Sequence, residues 1–327
     1  KIQADWCREN NIEYIVHLNH EDQLPGLVRS SGDYFRNMRY VGVPGVDAIW
    51  SQIWMDHVAD YPKLASSAAH LYGRPRAFTE SFAAYTHKPS VAQAKWVLDY
   101  QLVRGINSVQ IMFMSASTGK QQTKAGTQPL QRSSFFQNDS FPSVASYMNR
   151  ATWLLSQGRP AADIGVYFPT FSLWYGDNES NKALLDVSRQ LMELQYDFDY
   201  IDEQALSTFL SVENKGLLNL SGQSYKAIIV PGAVAISDAS LDKLRKFAAE
   251  GGKVIFLGKQ PLLSVDKTFI NASSPGELTF GILEDSLKLS PRVLDALPYR
   301  DFKINEKLPQ LKYTKRSLRN ADLYFFF

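Results

Sequence analysis

The 327-residue chain has one cysteine, Cys7. It therefore forms no internal disulfide and no zinc site built on several thiolates. It has no run of 18 apolar residues, so no segment reads as a membrane-spanning helix. It also lacks an excess of charge. Lys plus Arg number 35 against 33 Asp plus Glu, a net charge of +2. A nucleic-acid-binding face would carry a basic surplus, so neither nucleic acid nor membrane is an expected partner. The opening KIQADWCREN has no initiator Met, basic n-region or apolar h-region, and no signal peptide is legible there.

What is present suits a folded protein. Hydrophobic residues make up 45%, charged residues 21% and aromatics 13%, which rules out a disordered chain. The length suggests about two domains. Asn11 to His20 reads as a buried strand directly after a short helical turn, and the terminal ADLYFFF stops inside a strand-like apolar run. Both ends read as cuts in a longer protein, because an unpaired apolar edge is an aggregation liability.

Four strands are expected before residue 160: IEYIVHL (12–18), VDAIW (46–50), RAFTESF (76–82) and SVQIMFM (108–114). Helical patterns separate them. In one, Leu64, Ala68 and Leu71 share a face and Gly73 is the stop; in the other, Ser90 is the N-cap and Gly105 the terminal glycine. Alternation of this kind predicts a parallel sheet. Each strand closes on polar or aromatic residues, and α/β proteins build their sites at strand C-termini.

Histidine and glutamate are unevenly spread. All five histidines (His17, His20, His57, His70, His87) fall within the first 87 residues, and from Asp22 to Asn178 the only glutamate is Glu80. A carboxylate in an otherwise apolar strand must be paired or do chemistry. The plain alternative for Glu80 is an ion pair with Arg74 or Arg76. His17 and His20, with Glu21 or Asp22, form a candidate metal set; a hydrogen-bonded pocket wall is the competing reading. His57 and His70 read as surface or packing residues. Trp50, Trp54, Tyr85 and Phe113 follow strand ends and suit the apolar faces of sugar rings, or else fill the core. The polar stretch Ser115 to Ser146 is long enough to be a lid or binding loop.

From about residue 161 to 262 the pattern is that of an open, doubly wound, Rossmann-like or flavodoxin-like α/β domain. Its strands are ADIGVYFP, FDYID, YKAIIVPG and KVIFLG. The first turn, FPTFSLWYG, lacks G-x-G-x-x-G, which argues against a dinucleotide. No cysteine follows a strand, which argues against a glutaminase. This unit reads as scaffold, with Trp174 or Tyr175 available to a neighbouring cleft. Residues 263–327 read as a linker and the start of a β domain.

The segments PGVDAIW, KLASSAAHLYGRPRAFTESFAAY and QLVRGINSVQIM together resemble glycoside hydrolase family 106, the bacterial α-L-rhamnosidases. DIGVYFPTFSLW, FDYID, YKAIIVPG, EGGKVIFLG and ADLYFFF resemble it too, though the second unit is generic and also looks like the trimerisation-type domains of β-galactosidases. The resemblance implies that residues 1–160 are the C-terminal half of a (β/α)8 catalytic barrel. It implies an inverting mechanism with two glutamates, in which Glu80 is the general base. The acid would stand on an earlier strand, before Lys1, with Glu21 the nearest substitute within the chain. His17, His20, Glu21, Asp47 and Trp50 would bind substrate, an oligo- or polysaccharide of plant type. No cofactor is evident, and a divalent cation such as calcium is compatible with the site. A homo-oligomer and a periplasmic or extracellular location are further expectations. Two other readings remain open: a non-catalytic carbohydrate-binding or structural fragment, and a retaining, β-galactosidase-like glycosidase.

Overall fold

The computed structural model describes residues 1–55, 60–85, 89–112, 139–266, 271–300, 302 and 304–327. The first unit is a four-stranded sheet of β1 (Ile15–Val16), β2 (Val43–Ala48), β3 (Phe78–Ser81) and β4 (Ser108–Ile111). The strands are parallel and neighbour one another in chain order, as the alternation predicts. Helical crossovers produce this order: α1 (Ile2–Glu9) precedes β1, and α2 (Leu24–Ser31) with α3 (Tyr34–Met38) leads to β2. Then α4 (Pro62–Leu71) leads to β3 and α5 (Val91–Leu102) to β4. The expected cap of α5 is a full capping box. The Ser90 hydroxyl accepts from the Gln93 N–H at 3.2 Å and the Gln93 amide oxygen from the Ser90 N–H at 2.9 Å.

The pleat gives this sheet two unlike faces. Val46, Ala48, Thr79 and Ser81 are fully buried; Ser81 also meets the Gln101 side chain of α5. The opposite face carries Ile15, His17, Asp47, Glu80 and Gln110, and there Ile15 and Gln110 are exposed while His17 and Glu80 are half-buried.

The second unit begins near β5 (Arg159–Pro160), after α6 (Phe141–Leu155). Its main sheet contains β6 (Ile164–Tyr167) and β7 (Phe198–Ile201). The small antiparallel sheet of β8 (Ser211–Glu213), β9 (Gly216–Leu218) and β10 (Ser224–Tyr225) leads on to β11 (Ala227–Pro231). A side sheet is formed by β12 (Ala235–Ser237), β14 (Leu263–Val265) and β15 (Ala272–Ser273), while β13 (Lys253–Leu257) and β16 (Ile282–Glu284) complete the main one. The main sheet is parallel throughout, in the order β7-β6-β11-β13-β16. Counted along the chain this is 2-1-3-4-5, an order in which ligands sit at the carboxyl ends of strands beside the switch between the first and third. The first crossover runs through α7 (Thr170–Trp174) and α8 (Glu179–Glu193), a later one through α9 (Asp238–Ala249). The chain ends in an antiparallel hairpin, β17 (Tyr313–Ser317) and β18 (Asp322–Phe326), paired back onto β5.

The two units share a core. Helix α4 packs against β2 on one side and β7 on the other, and all ten of its residues are buried. Its apolar face is the expected one. Its polar face is satisfied by the second unit and by the turn after α5: Lys63 pairs with Asp197, His70 with Asp199 at 2.9 Å, Ser67 accepts from the Tyr200 N–H, and Ser66 donates to the Arg104 carbonyl. His70 is thus a buried packing residue, while His57 lies outside the described residues. No described helix is long and apolar enough to cross a membrane.

Candidate functional site

Register assembles the site. Asp47 on β2, Glu80 on β3 and Gln110 on β4 are direct cross-strand partners, so they form one row on the open face. His17, just past β1, completes the group. Its Nε2 lies 3.5 Å from a Glu80 carboxylate oxygen, and its Nδ1 lies 3.5 Å from Glu21 and 3.7 Å from Asp47. Gly45 makes room for this geometry. A Cβ there would stand 1.9 Å from the ring of Phe78, and Phe78 meets the His17 ring edge-on with centroids 6.3 Å apart.

Glu80 has no arginine partner among the described residues. Arg76 pairs with Glu13, and Arg74 donates to the Arg39 carbonyl. The imidazole of His17 takes the place that the plain alternative assigned to an arginine. Glu21 is fully buried, with one oxygen accepting from the Leu18 N–H at 2.6 Å and the other unpartnered among the described residues. The nearby Tyr61 hydroxyl is also buried, without a partner among the described residues. Buried polar atoms are nearly always paired, so two orphans here point to a ligand, ion or water.

The electrostatics follow from packing three carboxylates around one ring. Glu21 beside it, with Asp47 adding charge, lifts the His17 imidazolium to about 9. Burial, reinforced by the Glu21 charge, lifts the Asp47 carboxyl to about 7. At neutral pH the site therefore holds a charged histidine and an aspartate that is still partly protonated.

His17, Glu21 and Asp47 also offer donor atoms that lie within 4.8 Å of one another. A set of one imidazole and two carboxylates suits a zinc-like cation with open positions. Calcium, which takes six to eight oxygens, would find only the two carboxylates of this set.

The loops are strained where function is expected. His20, Trp50, Ser51, Phe82 and Ala84 all have positive φ, and all follow the C-terminal ends of β1, β2 and β3. Non-glycine residues in the left-handed region cost roughly 1–3 kcal/mol each and gather at functional sites. The loops are laced together: the Trp50 N–H donates to the Ala83 carbonyl and the Phe82 N–H to the Ala48 carbonyl. Trp50 is 58% exposed and follows β2, two residues beyond its end. Trp54 is half-buried against Tyr85, a packing role. His20 is exposed, with its side chain against Gly26, and makes no hydrogen bond or ion pair with the cluster among the described residues. Phe113, His87 and 115–138 of the polar stretch lie outside the described residues. Gln110 was not among the candidates; alternation within SVQI, which sets it on the face of Glu80, was the available signal.

The family model Glyco_hydro_106, described as alpha-L-rhamnosidase, matches residues 19–326. No curated protein matches. Among solved structures, a rhamnosidase from Novosphingobium sp. PP1Y is similar over 98% of this chain and 32% of that one, with 21% identity and a TM-score of 0.68. An apo exo-carrageenase GH42 from Bacteroides ovatus is similar over 90% and 42%, with 16% identity and a TM-score of 0.54. A beta-galactosidase from the psychrophilic Marinomonas ef1 covers 85% and 44%, with 12% identity and a TM-score of 0.54. At these identities the likeness is one of fold. The chain spans about a third of the length of the rhamnosidase.

Proposed function

The chain belongs to the glycoside hydrolase 106 family of α-L-rhamnosidases, and from that premise we propose that it supplies the general-base half of an inverting rhamnosidase site. In this reading residues 1–160 form the later half of a (β/α)8 barrel and the open face of the first sheet is its interior wall. Residues 161–262 form a flavodoxin-like domain beside it. The substrate is a rhamnose-bearing oligo- or polysaccharide.

The observation that carries the reading is the placement of Glu80. It stands on the open face, half-buried and reachable, with a cationic imidazole rather than an arginine beside it. As base, its carboxylate takes a proton from water while the water oxygen attacks the anomeric carbon. The bond to the leaving oxygen breaks as an acid protonates it. Inversion needs the two carboxyls ~6.5–9.5 Å apart to admit that water. Asp47 is a poor acid partner on this count, because in-register neighbours on adjacent strands are only ~4.8 Å apart. Its role here is to bind a sugar hydroxyl, donating when protonated. Glu21 is buried beneath His17 and holds the ring. The acid in this reading is a second glutamate in the rest of a longer protein.

That same short Asp47–Glu80 spacing favours one second reading, a retaining pair, for which ~5–5.5 Å is expected. The anomer released first from an aryl α-L-rhamnoside, followed by NMR in the full-length protein, separates the two. The β-anomer is expected. Glu80→Gln is expected to lower turnover by ~10²–10⁴-fold, and turnover that survives it removes Glu80 from the mechanism.

A further inference from the structure

A second cleft, of about 940 Å³, opens at the carboxyl ends of the strands of the five-stranded sheet. Its wall includes Phe171 and Trp174 after β6, Gln204 and Thr208 after β7, and Asp238 at the start of α9, after β11. This is the crevice beside the strand-order switch, where open α/β sheets bind ligands. We infer that this cleft is a binding subsite for a neutral saccharide, separate from the row around Glu80.

Three observations point to that ligand. The first is an aromatic platform. Trp174 lies on Phe171, with centroids 5.2 Å apart and planes inclined by 27°, and its indole N–H is fixed by the Gly32 carbonyl at 3.0 Å. A rigid indole that still exposes 41% of its surface suits the C–H face of a sugar ring. The second is Gln204. Its side-chain oxygen is buried with no partner among the described residues, so that acceptor is left uncommitted. An unpaired buried carbonyl carries a cost that a sugar hydroxyl would remove once the side chain turns to meet it. The third is the mixture of charges. Asp238, Asp242, Lys243 and Lys246 of α9 line the cleft together with Asp33, Arg36 and Asp266, so both signs of charge are present and no single-sign field is offered to an ion.

The cleft is built to bind rather than to hydrolyse. Two of its carboxylates are buried: Glu203 is held by the hydroxyls of Tyr167, Ser237 and Ser240, and Asp33 accepts from the Arg36 N–H as the cap of α3. Neither can serve as base or nucleophile without giving up those bonds. A subsite of this kind would hold a remote part of a polysaccharide, and the inference rests on the carbohydrate reading proposed above.

Calorimetric titration of the protein with an S-linked neutral rhamnobioside, which resists hydrolysis, tests it. Trp174→Ala is expected to weaken one class of binding about 10-fold, while Glu80→Gln leaves that class intact. Gln204→Leu is expected to weaken the same class several-fold with no fall in melting temperature, because the lost amide oxygen has no partner. Failure to bind the bioside, equal affinity in both cleft variants, or a fall in melting temperature for Gln204→Leu would each overturn the inference. So would binding of trigalacturonate or inorganic phosphate in place of the neutral probe. A failed Glu80 mechanism would show instead as turnover surviving Glu80→Gln, which leaves this titration unaffected.

Discussion

The ring of His17 lies between Glu21, Asp47 and Glu80, and its charge has a sign that can be checked. Its folded pKa, about 9, lies above the ordinary histidine value of 6.5. The folded protein therefore binds the proton more tightly than the unfolded chain. The resulting stability is fully present below pH 6.5 and is lost as pH rises to 9. Asp47 acts in the same direction at lower pH. Its carboxyl is lifted from 3.8 to about 7, so ionising it costs the folded state progressively between those values. Thermal melts with a chelator present are expected to fall in temperature across both windows. His17→Gln should abolish the upper fall and lower the melting temperature at pH 6, because Glu21, Asp47 and Glu80 lose their shared cation. A profile in His17→Gln identical to wild type would remove the histidine from the electrostatics. His17, Asp47 and Glu80 were legible as polar residues closing apolar strands. His20 was expected in the same group on its i, i+3 spacing, but a backbone φ of 65° and packing against Gly26 set its side chain apart from the cluster. A local left-handed residue leaves no trace in a histidine-containing sequence.

Elements were legible where their ends carry chemistry. The N-cap at Ser90 follows from side-chain type and position, and the structure adds the reciprocal bond from Gln93. Ser90→Ala is expected to cost about 1 kcal/mol in urea unfolding, and Ser90→Gly only a few tenths. Equal losses would mean that the cap contributes through something other than its hydroxyl. Strand β2 was less legible. Its reading began at Val46, whereas it starts at Val43, because Pro44 and Gly45 are weak strand formers. Gly45 is there for space: its missing Cβ is where the Phe78 ring sits. Gly45→Ala should cost about 1–3 kcal/mol by overpacking. It should also displace Phe78 from His17, weakening substrate binding more than Ser90→Ala does. On the reading proposed above, inhibition of the full-length protein by free rhamnose, compared between the two variants, separates a local shift from a general loss of stability.

At the scale of the molecule, α4 ties the two sheets into one folding unit. The sequence shows an amphipathic helix with Leu64, Ala68 and Leu71 on one face, and such a helix would normally turn Lys63, Ser66, Ser67 and His70 to water. For Lys63, His70 and Ser67 the partners, Asp197, Asp199 and the Tyr200 N–H, come from more than 125 positions away, and for Ser66 the partner is the Arg104 carbonyl, 38 positions on; no local pattern announces them. The Asp197 carboxylate also accepts from the Thr314 hydroxyl at 2.8 Å, which draws the C-terminal hairpin into the same network. Removing one member of a buried ion pair strands the other. Lys63→Met should therefore cost about 3–5 kcal/mol, and adding Asp197→Asn should recover part of it. Because the helix is shared, this loss should not unfold one unit and spare the other. Tryptophan fluorescence from variants that keep only Trp54 or only Trp174 should report coincident transitions, in wild type and in Lys63→Met alike. Two separated transitions would show that α4 belongs to one sheet and merely touches the other. Coincidence in wild type but separation in Lys63→Met would locate the coupling in this one buried pair.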